Sequence, residues 1–256
     1  MTTPAPSGLV LAAATAVAAG LMGCYAVMRR MTLAADALSH VALPGIGVAL
    51  LIGLHPMAGA LIALGAGAVL VWVLEQRTRV ATETVIGVVF SAALASGALL
   101  TSGERLLDAL FGTPGAPTPW EFGAGLGGSL VVIAFALLAR DRLIVTLVSP
   151  DIALTSGINV RRLDFVFLLM FALTVALGLK YLGVLLMGSL LIIPAATGRR
   201  LGRSLRGMFV VSVGVALVAT IAGTWLGAAL GAPTGPLIIA AATACFVAAA
   251  LLPGPR

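Results

Sequence analysis

The chain has 256 residues, 61% of them hydrophobic and only 9% charged, with a mean hydropathy of +1.16. A soluble domain carries about 25% charged residues, so these values exclude an ordinary soluble protein and leave no room for a large soluble domain beside membrane helices. The net charge of +6 does not point to nucleic acid, because fourteen of the fifteen basic residues are Arg grouped in short loops, as topology signals are.

At about 20 residues per span, the apolar runs predict an all-α, polytopic transmembrane helical bundle of about nine spans, with residues 1–256 forming one transmembrane domain. The N-terminal MTTPAPSG has no basic region, so no cleaved signal peptide is expected. The first span, residues 9–28, ends at Arg29 and Arg30, which places that end in the cytoplasm and the N-terminus outside. The second, residues 31–51, carries Asp36 and His40, is interrupted by Pro44 and Gly45, and leads to an outer turn at 53–57. The third, residues 58–74, returns to the basic stretch EQRTR, where Glu75 and Glu83 are expected to pair with Arg77 and Arg79. The fourth, residues 84–101, leads to an outer loop with Glu104, Arg105, Asp108 and the Pro-rich TPGAPTPW, in which Trp120 suits a membrane interface.

The fifth span, residues 125–139, comes in to Arg140, Asp141 and Arg142. Residues 148–162, VSPDIALTSGINVRR, then read as a short cytoplasmic helix. Ser149 is its N-cap, Pro150 fits the first turn, Asp151 favours a helix N-terminus and Gly157 closes it. The sixth span, residues 165–179, exits near Lys180, and the seventh, residues 182–196, contains Pro194 and returns to the most basic loop, 198–206. The eighth and ninth, residues 208–230 and 236–252, place the C-terminus inside. Thirteen arginines then lie on the inner side, against Arg105 and Lys180 outside. Cys24 and Cys245 both sit in apolar runs and read as small packed side chains.

The chain has no G-x-x-x-x-G-K-[ST] loop, no H-E-x-x-H and no G-x-S-x-G. If ATP drives transport, a separate subunit hydrolyses it. Asp36 and His40 are four residues apart, so a helix puts them on one face, one turn apart. Ionisable residues within a span are costly and mark substrate paths. A carboxylate and an imidazole suit Zn, Mn or Fe better than Ca or Mg. Two ligands are too few for a closed site but suit a conduit, where binding must permit release. The plainer reading is a polar pair near the inner end of a span, one group snorkelling to water and the other bonded to a backbone carbonyl. Ser39 is expected to pack, and His55 to be a solvated loop residue.

Several blocks resemble one family in the right order over nearly the whole chain. RRMTLAADALSHVALPGIGVALL, TRVATETVIGVVFSAALASG, VSPDIALTSGINVRRLD, YLGVLLMGSLLIIPAATGRRL and APTGPLII are similar to the permease subunits of bacterial zinc, manganese and iron ABC importers, the metal-specific ABC-3 permeases. The resemblance implies a type II importer-like permease in the bacterial cytoplasmic (inner) membrane, a multi-pass protein that is not itself an enzyme. It implies a dimer with a second copy of itself, a cytoplasmic ABC ATPase dimer below and an extracytoplasmic metal-binding protein above. It also implies no permanent cofactor, with a Zn, Mn or Fe divalent ion as cargo. Within the family an early Asp and His at this spacing contact the metal, and they match Asp36 and His40. The family's ATPase-coupling segment matches Ser149, Pro150, Asp151, Ala153 and Gly157, with VSPD in place of the family's FDPE pattern and Ile152 in place of its acid. The outer LFGTPG is followed by extra prolines, a departure from the family's L-F-G-[ST]. Competing readings are a permease for siderophore or cobalamin chelates and a stand-alone secondary carrier. The chain shows neither the length usual for the first nor the several buried acids of the second.

Overall fold

The computed structural model describes residues 6–78, 80–100 and 117–251, apart from the side chains of Leu33, Ala34, Ala35, Lys180, Tyr181 and Leu185. Among the described residues every regular element is an α-helix. In chain order these are α1 (Pro6–Met28), α2 (Thr32–His40), α3 (Ala42–Leu51), α4 (Pro56–Thr78), α5 (Thr82–Leu100) and α6 (Pro119–Leu138). There follow α7 (Arg140–Val148), α8 (Pro150–Thr155), α9 (Val160–Leu179), α10 (Leu182–Leu201), α11 (Leu205–Leu230) and α12 (Thr234–Leu251). Eight of them (α1, α4, α5, α6 and α9 to α12) are long and apolar enough to cross a bilayer. Helices suit that role because lipid offers backbone N–H and C=O groups no partner, and a helix satisfies them internally. The remaining segment expected to span holds α2 and α3, which run on through Val41 as a shorter apolar helix, Asp36–Leu51.

α1 is the most deeply buried span, packed against α6, α10 and α11. Its small residues permit this. A Cβ on Gly23 would overlap the carbonyl of Leu191, and one on Gly20 would lie 3.1 Å from the Cα of Val213. Lipid supplies no hydrophobic force between helices, so close packing and polar ties hold them. The buried Tyr25 hydroxyl donates to the Ala136 carbonyl (2.6 Å), and Ser212 Oγ donates to the Gly20 carbonyl (2.9 Å). At the basic end of α1, Arg29 pairs with Asp164 of α9 at 2.8 Å and lies 4.3 Å from the centre of the Phe167 ring.

Between α9 and α10 the helical backbone breaks at Gly183 (φ 71°, ψ 175°), a conformation open essentially to glycine alone. α9 and α10 therefore fold back on each other, and Met187 fills the space in which a Gly178 Cβ would sit. This reversal is the expected exit near Lys180.

The interruption of the second segment lies elsewhere than at Pro44 and Gly45. The two helices meet at Val41, whose N–H bonds the Leu38 carbonyl at 3.0 Å, a tightened turn. Proline at position 44 has no N–H to give the His40 carbonyl and crowds it, so the break falls within the turn before it. Gly45 has a packing role instead: a Cβ on Gly45 would overlap the Gly59 carbonyl, and one on Gly59 the Gly45 carbonyl.

Several helices also begin earlier than the apolar runs do. α6 starts at Pro119 because Thr118 and Glu121 form a reciprocal capping box. α11 starts at Leu205 because Ser204 Oγ accepts the Gly207 N–H. Arg140, Asp141 and Arg142 belong to a further helix, α7. Arg79, Glu104, Arg105 and Asp108, the whole of LFGTPG, and residues 252–256 lie outside the described residues.

Gly59→Val should drive α3 and α4 apart and cost about 1–3 kcal/mol of stability, read as a lower unfolding midpoint in detergent. Gly65→Ala, on the same helix with open space around it, should leave the midpoint unchanged or higher.

Candidate functional site

The helix that carries Asp36 and His40 is only nine residues long, and no side chain caps its N-terminus. Its position comes from its neighbours, α10 on one side and α5 on the other. Against α10, Gly188 allows the closest approach: a Cβ there would lie 2.7 Å from the Asp36 Cα. Ser39 is fully buried, and its Oγ lies 2.8 Å from the Val184 carbonyl and 2.6 Å from the Asp36 carbonyl. Ser39 therefore does more than pack. Against α5, the His40 ring meets Phe90 edge-on, with centroids 5.3 Å apart.

These contacts fix the depth of the pair. Val41 lies against Gly67, the midpoint of α4, and Phe90 is one residue from the midpoint of α5. His40 thus sits near the middle of the bundle, not at the inner end of a span. Asp36 is exposed on the surface of the single chain and His40 is half-buried. The His40 Nδ1 atom is buried and has no hydrogen-bond partner. Among the described residues no three His, Cys, Asp or Glu side chains come together to hold a metal.

The segment of residues 149–157 has the expected form. Ser149 Oγ accepts the Ile152 N–H at 3.3 Å, Pro150 opens α8, and Asp151 lies in the first turn. Ala153 is buried, whereas Ile152 and Leu154 are 57% and 60% exposed, so α8 turns two large apolar side chains outward. Gly157 closes the helix at φ 76°. The Gly157 N–H bonds the Leu154 carbonyl and the Ile158 N–H bonds the Ala153 carbonyl, the two bonds of a Schellman cap. Asn159 then caps α9 by accepting the Arg162 N–H at 3.0 Å, a signal that the sequence reading passed over.

The other singled-out residues have structural roles. His55 is exposed and caps α4, its Nδ1 accepting the Met57 N–H at 3.3 Å. Cys24 and Cys245 are both free. Glu75 accepts a bond from Thr82 at 2.5 Å across the turn between α4 and α5.

A bundle of helices long and apolar enough to cross a bilayer is the fold of a polytopic membrane protein. The chain belongs to the ABC 3 transport family, whose profile matches residues 5–252. It is 30% identical to the high-affinity zinc uptake system membrane protein ZnuB of Haemophilus influenzae, over 94% of this chain and 93% of ZnuB. It is 28% identical to the manganese import system permease protein ScaB of Streptococcus parasanguinis (94% and 88%). It is also 31% identical to the chelated iron transport system membrane protein YfeD of Yersinia pestis (94% and 82%). Among solved structures it is similar in fold to a chain of PsaBC from Streptococcus pneumoniae in complex with Fab. That match has a TM-score of 0.83 at 24% identity and covers 95% of this chain and 90% of the other.

Gly157→Ala should place a side chain in a left-handed conformation at a cost of about 1–2 kcal/mol and loosen the end of α8. Limited proteolysis should then cut between Ser149 and Asn159 faster than in the wild type; an unchanged rate would show that the cap does not hold this turn.

Proposed function

We propose that this chain, as one transmembrane domain, is the permease subunit of an ABC importer for a divalent transition-metal ion, Zn, Mn or Fe, with Asp36 and His40 forming its half of a transient metal site. The observation that carries this reading is the mid-depth position of the pair on a helix held between α5 and α10. Transporters bind cargo near the midplane on interrupted helices. A second copy of the chain supplies the same pair across a two-fold axis and completes the coordination.

The permease contains no ATP-binding loop, so a cytoplasmic ATPase dimer provides the energy and an extracytoplasmic binding protein delivers the metal. Residues 149–157 dock on the ATPase. The outward-facing Ile152 and Leu154 give α8 an apolar surface to bury there, which compensates for the missing acid at position 152. ATPase closure moves α8, and with it α9, whose N-cap Asn159 follows two residues after Gly157. The bundle then opens to alternate sides. A second reading, passage of an intact metal chelate, draws support from the name of YfeD. A chelated ion needs no ligands from the path.

The test is metal accumulation in cells that depend on this transporter, with Zn, Mn and Fe compared for the wild type, Asp36→Ala and His40→Ala at equal assembly. Both variants should lose uptake of one metal. Wild-type uptake in both would remove the pair from the path and favour the chelate reading. In a separate experiment, Ile152→Glu should reduce co-purification of the ATPase without lowering the amount of permease in the membrane.

A further inference from the structure

α2 is uncapped at its start and runs on into α3 through Val41, which keeps helical angles (φ −63°, ψ −19°). Most helical stability in a protein comes from packing, so the positions of Asp36 and His40 depend on ties to neighbouring helices. Apolar contacts fix depth, but they are non-directional and leave rotation about the helix axis loosely set. A hydrogen bond is directional. From the described side chains of α2, the directional tie to another helix is the bond from Ser39 Oγ to the Val184 carbonyl, 2.8 Å long and fully buried.

Val184 directly follows Gly183, the residue at which α9 turns back into α10. The Ser39 hydroxyl has one proton, and it also lies 2.6 Å from the Asp36 carbonyl, within its own helix. It therefore lies between two acceptors, the backbone carbonyl of Asp36 and that of Val184 at the reversal between α9 and α10. Gly188, one turn further along α10, has no Cβ to keep that strand of backbone from the Asp36 Cα.

We propose that Ser39 is a positioning residue for metal passage, tying the Asp36 and His40 pair to the α9–α10 reversal so that the reversal sets the aim of both side chains. The inference rests on the reading of that pair as the metal site. Any shift of the reversal during the transport cycle then moves the pair with it.

The experiment uses the full transporter, with its ATPase and binding protein, and measures initial uptake of Zn, Mn and Fe separately for the wild type, Ser39→Ala, Ser39→Thr and Asp36→Ala, each normalised to assembled complex. Loss of one buried hydrogen bond should lower uptake of the preferred metal about three- to tenfold in Ser39→Ala and change the ratio among the three metals. Ser39→Thr, which keeps the hydroxyl, should retain the wild-type ratio. If Ser39→Ala does not assemble, Ser39→Cys, which keeps the volume and weakens the donor, carries the same test. Wild-type rates and ratios in Ser39→Ala, or an equal fall for all three metals, would overturn the inference while leaving the pair in place, provided that Asp36→Ala has lost uptake. Wild-type uptake in Asp36→Ala would overturn the inference and the site reading together.

Discussion

Pro44 lacks the N–H that the His40 carbonyl would otherwise accept, and much of the site follows from that missing donor. It lies in an apolar segment at mid-depth, where lipid provides no substitute partner. The turn before Pro44 tightens at Val41, which still keeps helical angles, and the apolar run Asp36–Leu51 stays one helix, shorter than the spans around it. Its first part carries Asp36 and His40 and is positioned by α5 and α10.

The bundle can exert that control because its helices approach closely where glycine removes the side chain. Gly45 and Gly59 bring α3 onto α4, Gly67 receives Val41, Gly97 receives Leu43, and Gly188 admits the backbone of Asp36. Buried polar ties among the described residues include Tyr25 to α6, Ser212 to α1 and Ser39 to α10. Two charged ties lie at helix ends. Arg29 joins α1 to α9 through Asp164, and Arg200 donates to the Ala249 and Ala250 carbonyls at the C-terminus of α12, where a cation is favoured. One span, α9, leads from the cap of α8 to the reversal that meets Ser39. The segment assigned to the ATPase is thus joined through one span to the turn that meets the helix assigned to the metal.

Much of this was legible in the residues. Apolar runs bounded by arginines marked the spans, and the Ser149-Pro150-Asp151 start with its Gly157 stop located α8, because capping is a local chemistry. Helix i, i+4 geometry put Asp36 and His40 on one face. What escaped was non-local. Depth in the bundle depends on which residues of α4 and α5 meet α2, and no pattern within 31–51 encodes that. Ser39 reads as a packed small residue until the Val184 carbonyl is beside it. Other misses were local and could have been found: the T-P-W-E capping box before α6, and the one-turn displacement of a break from its proline.

The central claim is that one carboxylate and one imidazole per chain, at mid-depth on α2, touch the ion as it crosses. X-ray absorption by the metal bound to the purified complete transporter tests this most directly, comparing wild type with His40→Ala. Imidazole scattering present in the wild type and absent in the variant is the predicted result. A metal spectrum unchanged by the loss of His40 would contradict the account, because the ion would then be held by groups other than those on α2.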